Sequence, residues 1–269
     1  MANLVINIAT PSNNSQHTVF LFELNYGVDT EKYFYYIIIH SYVGATIMGH
    51  LIVVCYTLYV LYAQHAFALF AIVSYQLKTI HILDANNFIN LKDDNWLKKY
   101  EYVEFTPEEH KMVYEKLFFC IQEHQNALKY AKDLESLFMK SIFFQLFFNC
   151  LTLSATSVCT VRKLGNVAET IRYGSVSIAQ ITYIFSLCLP GQRLMNHSED
   201  VYAATYETMW YKFSKKTVSL YKILLIRCLI PSKLTAFKMA PLTMETFLTV
   251  IRAVMSYFTV LLSANETSE

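Results

Sequence analysis

The sequence predicts an all-α membrane protein, a bundle of long helices that crosses a bilayer several times. Three observations carry this expectation. Of 269 residues, 54% are hydrophobic and only 16% charged, against roughly 25% charged in soluble domains. The charges leave long gaps: no Asp, Glu, Lys or Arg lies between Lys32 and Lys78, Lys140 and Arg162, or Arg172 and Arg193, and Arg252 alone lies between Glu245 and Glu266. Uncharged runs of about 18 or more residues are long enough to span a membrane. The basic residues are also segregated, with 9 of 22 Lys and Arg in 78–140 and 8 in 193–238.

Basic loops face the cytoplasm. The expected spans are about 33–58, 141–161, 171–189 and 242–264, with a cytosolic helical anchor about 59–140 and 193–240. Residues 1–32 form an extracellular loop segment, 33–264 a single transmembrane domain, and 265–269 an extracellular tail. An external C-terminus is opposite to the G-protein-coupled receptor plan. The sequon at Asn13 then lies outside, Asn265 lies too close to the bilayer for modification, and Asn196 lies inside and unused.

The first uncharged run has no Pro, Gly or Asn near Tyr56 to Gln64 to turn a hairpin, so one long helix is expected. Ser41, Ala45 and Gly49 give it a small-residue face for close packing. The second helix starts at Thr106-Pro107-Glu108-Glu109, with a Thr N-cap, Pro at the first helical position and Glu completing a capping box. Tyr114, Leu117, Ile121, His124, Leu128, Ala131 and Leu134 follow an amphipathic rhythm. That stripe needs a partner before the membrane is reached, most simply the extension of the first helix or the 200–238 segment. The third span is expected to stop at Pro190-Gly191, and Pro241 to open the last helix. Between them the pattern is helical and half polar, with Trp210-Tyr211 and Pro231 as punctuation.

In the last helix Glu245, Thr249, Arg252, Ser256, Thr259 and Ser263 recur at helical spacing on one stripe. Such a stripe either lines water or packs tightly on neighbours. Arg252 is the telling member, because a charge mid-helix is costly unless it faces water or a partner.

The composition also excludes several function classes. A net charge of +1 leaves no footprint for nucleic acid. The N-terminus does not read as a signal peptide. Six cysteines form no C-x-x-C pair and eight histidines lack ligand spacing, so no disulfide framework, metal or cofactor is expected. No G-x-S-x-G, H-E-x-x-H, G-x-x-x-x-G-K or paired intramembrane carboxylates occur, and no enzyme is expected.

From Tyr183 onward the chain resembles the insect odorant receptor family. The matching residues are Tyr183, Phe185, Cys188, Gly191, Leu194, Ser198, Val201, Ala203, Tyr206 and Trp210. They continue with Arg227, Pro231, Ala236, Lys238, Pro241, Phe247 and Val250, and end with Ser256-Tyr257-Phe258-Thr259-Val260-Leu261-Leu262. A weaker match lies in Cys120-Ile121-x-x-His124 and Leu134-Glu135-x-Leu137-Phe138. The resemblance implies a seven-helix fold, of which this chain carries the last four helices and lacks the first three.

The resemblance further implies an odorant-gated cation channel of the plasma membrane of olfactory sensory neurons. It would form a heterotetramer with a shared odorant receptor co-receptor, pass monovalent and divalent cations and contact membrane lipid. Its gate residues fall on Val260 and Ala264. Together with the stripe, the expected pore-lining set is Ser256, Thr259, Val260, Ser263 and Ala264. For a volatile apolar odorant the candidate contacts are Tyr36, His40, Tyr42, Asn149, Thr152 and Tyr183. Lys212, Lys215, Lys216, Lys222 and Arg227 read as a solvated, lipid-facing set, within a segment that the resemblance assigns to the inter-subunit anchor. The alternatives are a gustatory-type receptor of the same superfamily, a non-channel membrane scaffold, or a non-functional receptor fragment.

Overall fold

The computed structural model describes residues 32–81, 105–163, 165–238 and 240–266. The expectations for 1–31, including Asn13, and for the 82–104 part of the anchor lie outside these residues. The chain divides after Thr57 into two compact units, taken separately below.

Helix α1 runs unbroken over Phe34–Lys78, 45 residues, or about 68 Å at 1.5 Å per residue. The absence of turn chemistry in the long apolar run thus produces one helix. In the first unit its hydroxyls are returned to its own carbonyls: Ser41 Oγ donates to Ile37 O (2.8 Å) and Thr46 Oγ1 to Tyr42 O (2.7 Å). A Cβ added to Gly44 or Gly49 would meet nothing. Of the small-residue face expected here, Ser41 is buried and Ala45 half-buried, while Gly49 is exposed.

In the second unit helix α2, Pro107–Arg162, is 56 residues long. Its capping box forms as expected: Glu109 N donates to Thr106 Oγ1 (3.3 Å) and Thr106 N to Glu109 Oε2 (2.7 Å). Asn166 then caps helix α3, Val167–Glu207, by accepting from the amides of Ala168 and Glu169. Here the structure corrects the sequence reading, because Pro190-Gly191 does not end the helix. Proline lacks the amide that would reach Ser186 O, but its ring is buried and neighbouring groups hold this turn. Tyr59 Oη donates to Leu187 O at 3.3 Å. Gly191 admits the backbone of Leu242 against the helix. Tertiary packing overrides the local stop signal.

The amphipathic stripe of α2 matches the expected one at Leu117, His124, Ala131 and Leu134 and differs at the other three positions. The buried residues are Val113, Leu117, Cys120, His124, Ala127, Ala131 and Leu134, while Tyr114 is exposed and Ile121 and Leu128 are half-buried. The bulkier neighbours suggested the wrong members; small Cys120 and Ala127 let the helices approach. The buried face of α1 is Tyr59, Ala63, Ala66, Phe70, Val73 and Leu77, continued by Ile80 just past the helix end. Both series alternate steps of four and three, the 3.5-residue period of a left-handed seam. Residue pairs fix its direction: Gln76 with Cys120 (3.4 Å), Phe70 with His124, His65 with Tyr130 and Tyr59 with Phe138. These pairs run antiparallel.

Helix α3 lies parallel to α1, with Phe67 stacked on His197, Ser74 Oγ donating to Asp200 O and Lys78 paired with Glu207 at 3.0 Å. A 3₁₀ turn at Trp210–Lys212 leads to α4, Lys215–Cys228. This helix closes on α2 and α3 through Cys228 beside His124 and through Tyr221 Oη donating to Thr205 O at 3.1 Å. The stripe of α2 is thus buried on both of its expected partners.

A two-strand hairpin, β1 Thr235–Ala236 and β2 Ala240–Pro241, precedes helix α5, Met244–Glu266. Pro241 belongs to β2 and does not open the helix, a second correction. Leu242 N is committed to Leu234 O (2.8 Å), and Thr243 takes the cap by accepting from Thr246 N.

Three helices (α1, α2 and α3) are long and apolar enough to cross a membrane among the described residues. The fourth expected span is α5, 23 residues, about 34 Å long.

Candidate functional site

Helix α5 has two unlike faces. Met244, Phe247, Val250 and Val254 pack against a core of Leu153, Ile184 and Cys188 from α2 and α3, and Phe247 meets Phe185 edge-on at 5.4 Å. Every member of the polar stripe (Glu245, Thr249, Arg252, Ser256, Thr259 and Ser263) is exposed. At 100° per residue, Phe247 lies about 180° from Ser256, and the stripe stays within about 60° of Ser256 on either side. Among the described residues of the second unit, the stripe faces away from the helices that α5 packs on. Thr259 and Ser263 hydroxyls return to backbone carbonyls one turn back (2.8 and 2.9 Å), so they cost little in an apolar setting. Val260, 61% exposed, borders the stripe. Ala264 lies on the same helix, and its side chain is outside the described residues.

The candidate ligand residues fall in two groups. Tyr36, His40 and Tyr42 are exposed on the first half of α1. In the second unit Tyr183 Oη donates to Gln145 Oε1 across α3 and α2 (3.2 Å). Asn149 is half-buried, and its Oδ1 is enclosed with no partner among the described residues. Thr152 is exposed and donates to Phe148 O and Asn149 O.

The Tyr183–Gln145 bond belongs to a polar ladder between α3 and α2 that the sequence reading missed. Thr156 Oγ1 donates to Gln180 Oε1 (3.2 Å) and accepts from Ser177 Oγ (3.1 Å). The signal was present: Gln145, Asn149, Thr152 and Thr156 recur at steps of 4, 3 and 4 in an uncharged run. Interhelical bonds of this kind contribute about 0.6 kcal/mol each within a membrane.

Electrostatics shape the base formed by α1, α2 and α4. Burial, with help from the Arg227 charge, holds the His124 imidazole down to about 4. Its Nε2 lies 3.9 Å from Cys228 Sγ, a thiol that burial pushes up to about 12. His81, almost fully buried, is likewise lowered to about 4 by burial and by the charges of Lys116 and Lys212. Both imidazoles are neutral at physiological pH, which makes them apolar-core members rather than charge carriers.

The family model described as 7tm odorant receptor matches residues 3–255. This chain belongs to the odorant receptor family. Among curated relatives of this odorant receptor chain, the odorant receptor coreceptor of Aedes albopictus is 23% identical over 189 residues, 68% of this chain and 36% of that protein. Putative odorant receptor 19b of Drosophila melanogaster is 27% identical over 151 residues, 55% of this chain and 38% of that protein. The chain spans about a third of the length of the curated relatives it matches. One solved structure, the olfactory receptor OR5 from Machilis hrabei in complex with eugenol, is similar with a TM-score of 0.48 and 13% identity, covering 77% of this chain and 68% of that one. Family membership and the long apolar helices make this odorant receptor chain a multi-pass membrane protein.

Proposed function

We propose that this odorant receptor chain is a ligand-binding subunit of an odorant-gated cation channel that works with the family's shared co-receptor. Helix α5 lines the pore through Ser256, Thr259, Val260, Ser263 and Ala264, and several subunits, the co-receptor among them, surround the axis. The supporting observation is the exposed polar stripe set opposite the packed face of α5. An exposed row of hydroxyls on a membrane-length helix is matched by water, and Val260 beside it supplies the apolar constriction that can gate by excluding water.

The odorant contacts come first from Tyr183 and Asn149, with Thr152 next to them and with Tyr36, His40 and Tyr42 on the first half of α1. Ligand pockets are mainly apolar with a few placed polar groups. The partnerless Asn149 Oδ1 favours an odorant that carries a hydrogen-bond donor. The site of action is the plasma membrane of olfactory sensory neurons, with four spans, the cytosolic anchor at 59–140 and 193–240, and an external C-terminus.

The experiment is cysteine scanning of α5 in cells that also express the co-receptor, with a small cationic thiol reagent applied during odorant stimulation. Ser256→Cys, Thr259→Cys, Val260→Cys and Ser263→Cys should lose current as the reagent reacts, whereas Phe247→Cys and Val254→Cys should not. Equal block on both faces would reject the pore assignment. An absence of odorant-dependent current in every variant and in wild type would reject the receptor reading itself.

A further inference from the structure

The start of α5 is held by a side chain from another helix. Gln192 of α3 spans two contacts: its Nε2 donates to Asn196 Oδ1 (2.8 Å) and its Oε1 accepts from Met244 N (3.1 Å). Met244 is the first residue of α5, and its amide is one of the donors that a helix cannot satisfy internally. Thr243 does not serve it, because the Thr243 hydroxyl takes Thr246 N instead. One residue before Gln192, a Cβ on Gly191 would overlap Leu242 O and lie 2.7 Å from Leu242 Cβ. The backbone of α3 is therefore in direct contact with the residues that lead into α5.

The connector before α5 is clamped and strained. Ser232 N donates to Ser198 Oγ (3.0 Å), and Thr235 Oγ1 donates to Glu135 of α2. Between these clamps and α5, Phe237 and Lys238 stand at φ of 51° and 57°. Non-glycine residues hold this left-handed conformation only when their surroundings impose it, as in switch segments. Gln192 acts on α5 itself. Helix α3 also carries Tyr183, a few turns before Gln192, so one rigid element touches both a candidate ligand residue and the start of the candidate pore helix.

We propose that Gln192 is a positioning residue for α5: it pins the first turn of that helix to α3 and so sets the balance between closed and open pore. The gating half of this proposal rests on the channel reading given above; the pinning half does not. A displacement of α3 at Gly191-Gln192 reaches α5 without a flexible loop between them.

Two measurements test it. The first is hydrogen exchange of the amides of 242–248 in the full chain, purified in lipid nanodiscs. Gln192→Met keeps length and bulk but removes the acceptor, and should raise exchange there about fivefold, the effect of one lost hydrogen bond. Gln192→Glu keeps an acceptor oxygen at a helix N-terminus, where negative charge is favoured, and should stay within about twofold of wild type. Met244→Pro deletes the same bond from the donor side, at a helix position that tolerates proline. It should reproduce Gln192→Met and provides the test if that variant misfolds.

The second measurement is current with the co-receptor, read as the ligand-free fraction and the half-activating odorant concentration. Gln192→Met should shift at least one of these about fivefold at unchanged surface expression, with Gln192→Glu restoring wild-type behaviour. A merely structural residue would lower expression and maximal current and leave both ratios in place. Unchanged exchange overturns the proposal, and so does raised exchange with both ratios unmoved. Wild type silent to odorants would sink the channel reading, while the exchange result would still decide whether Gln192 pins α5.

Discussion

Lowering the pH from 7 to 5 should destabilise the helical base of this protein through His124, and the size of the effect follows from its burial. His124 is 2% exposed, with the Phe70 ring edge-on at 6.1 Å from α1 and Cys228 Sγ at 3.9 Å from α4. Arg227 is the charge that reinforces burial. An unfolded chain protonates histidine near 6.5, whereas the folded one holds His124 neutral to about 4. Between those values the unfolded state binds more protons, so stability is intact above about 6.5 and falls as pH drops towards about 4. For one site the loss between pH 7 and 5 is about 2 kcal/mol, or roughly 4–8 °C in melting temperature for a domain of this size. The assay is thermal melting followed by helical circular dichroism, comparing wild type with His124→Gln in the same detergent. The variant should be less stable at pH 7 yet lose about 2 kcal/mol less on acidification. An equal acid loss in both proteins would refute the reasoning, because the imidazole would then not be the group that titrates.

Other substitutions test the packing. Leu117→Ala removes a fully buried member of the α1–α2 seam and should cost about 2–5 kcal/mol in chemical denaturation. Gly191→Ala should also destabilise: the helix gains about 1 kcal/mol from losing a glycine, but the new methyl group overlaps Leu242 O, and overpacking against backbone costs about 1–3 kcal/mol or more. A melting temperature at or above wild type for Gly191→Ala would show that α5 can move off α3 freely.

Much of this architecture was legible in the sequence because it rests on local rules. The capping box at Thr106, the unbroken first helix and the continuation of the second helix into an apolar run follow from residue chemistry over a few turns. The failures share a different cause. Pro190-Gly191 reads as a helix end, yet it is a contact point with Leu242, and no local signal announces a partner some fifty residues away in sequence. Pro241 reads as a helix start, but the hairpin bond from Leu242 N to Leu234 O claims that segment.

Helix α5 was more legible than the candidate ligand residues. Its polar stripe is periodic, so its place on one face was readable, whereas its exposure was not. The ladder of Gln145, Thr156, Ser177 and Gln180 joins two helices, and neither half alone shows which polar residues will meet. Of the expected ligand contacts, the structure joins Tyr183 to this ladder and encloses Asn149 Oδ1.

The seam between α1 and α2 has a consequence for how the chain reaches a single structure. A 3.5-residue repeat is degenerate, since sliding one helix by seven residues returns apolar positions to the same face. Side-chain size removes the degeneracy here. The Phe70–His124 and Gln76–Cys120 pairs place Ala63 level with Ala131, Ala66 with Ala127 and Leu77 with Leu117. Sliding one heptad in one direction sets Phe70 level with Leu117 and Ala63 with His124, which adds volume at both levels. Sliding the other way sets Phe70 level with Ala131 and Leu77 with His124, which misplaces the same volumes. The two helices thus carry a size code that rejects each one-heptad slip, so the level at which α2 turns back along α1 is chosen by van der Waals volume, before any loop or partner subunit need enforce it.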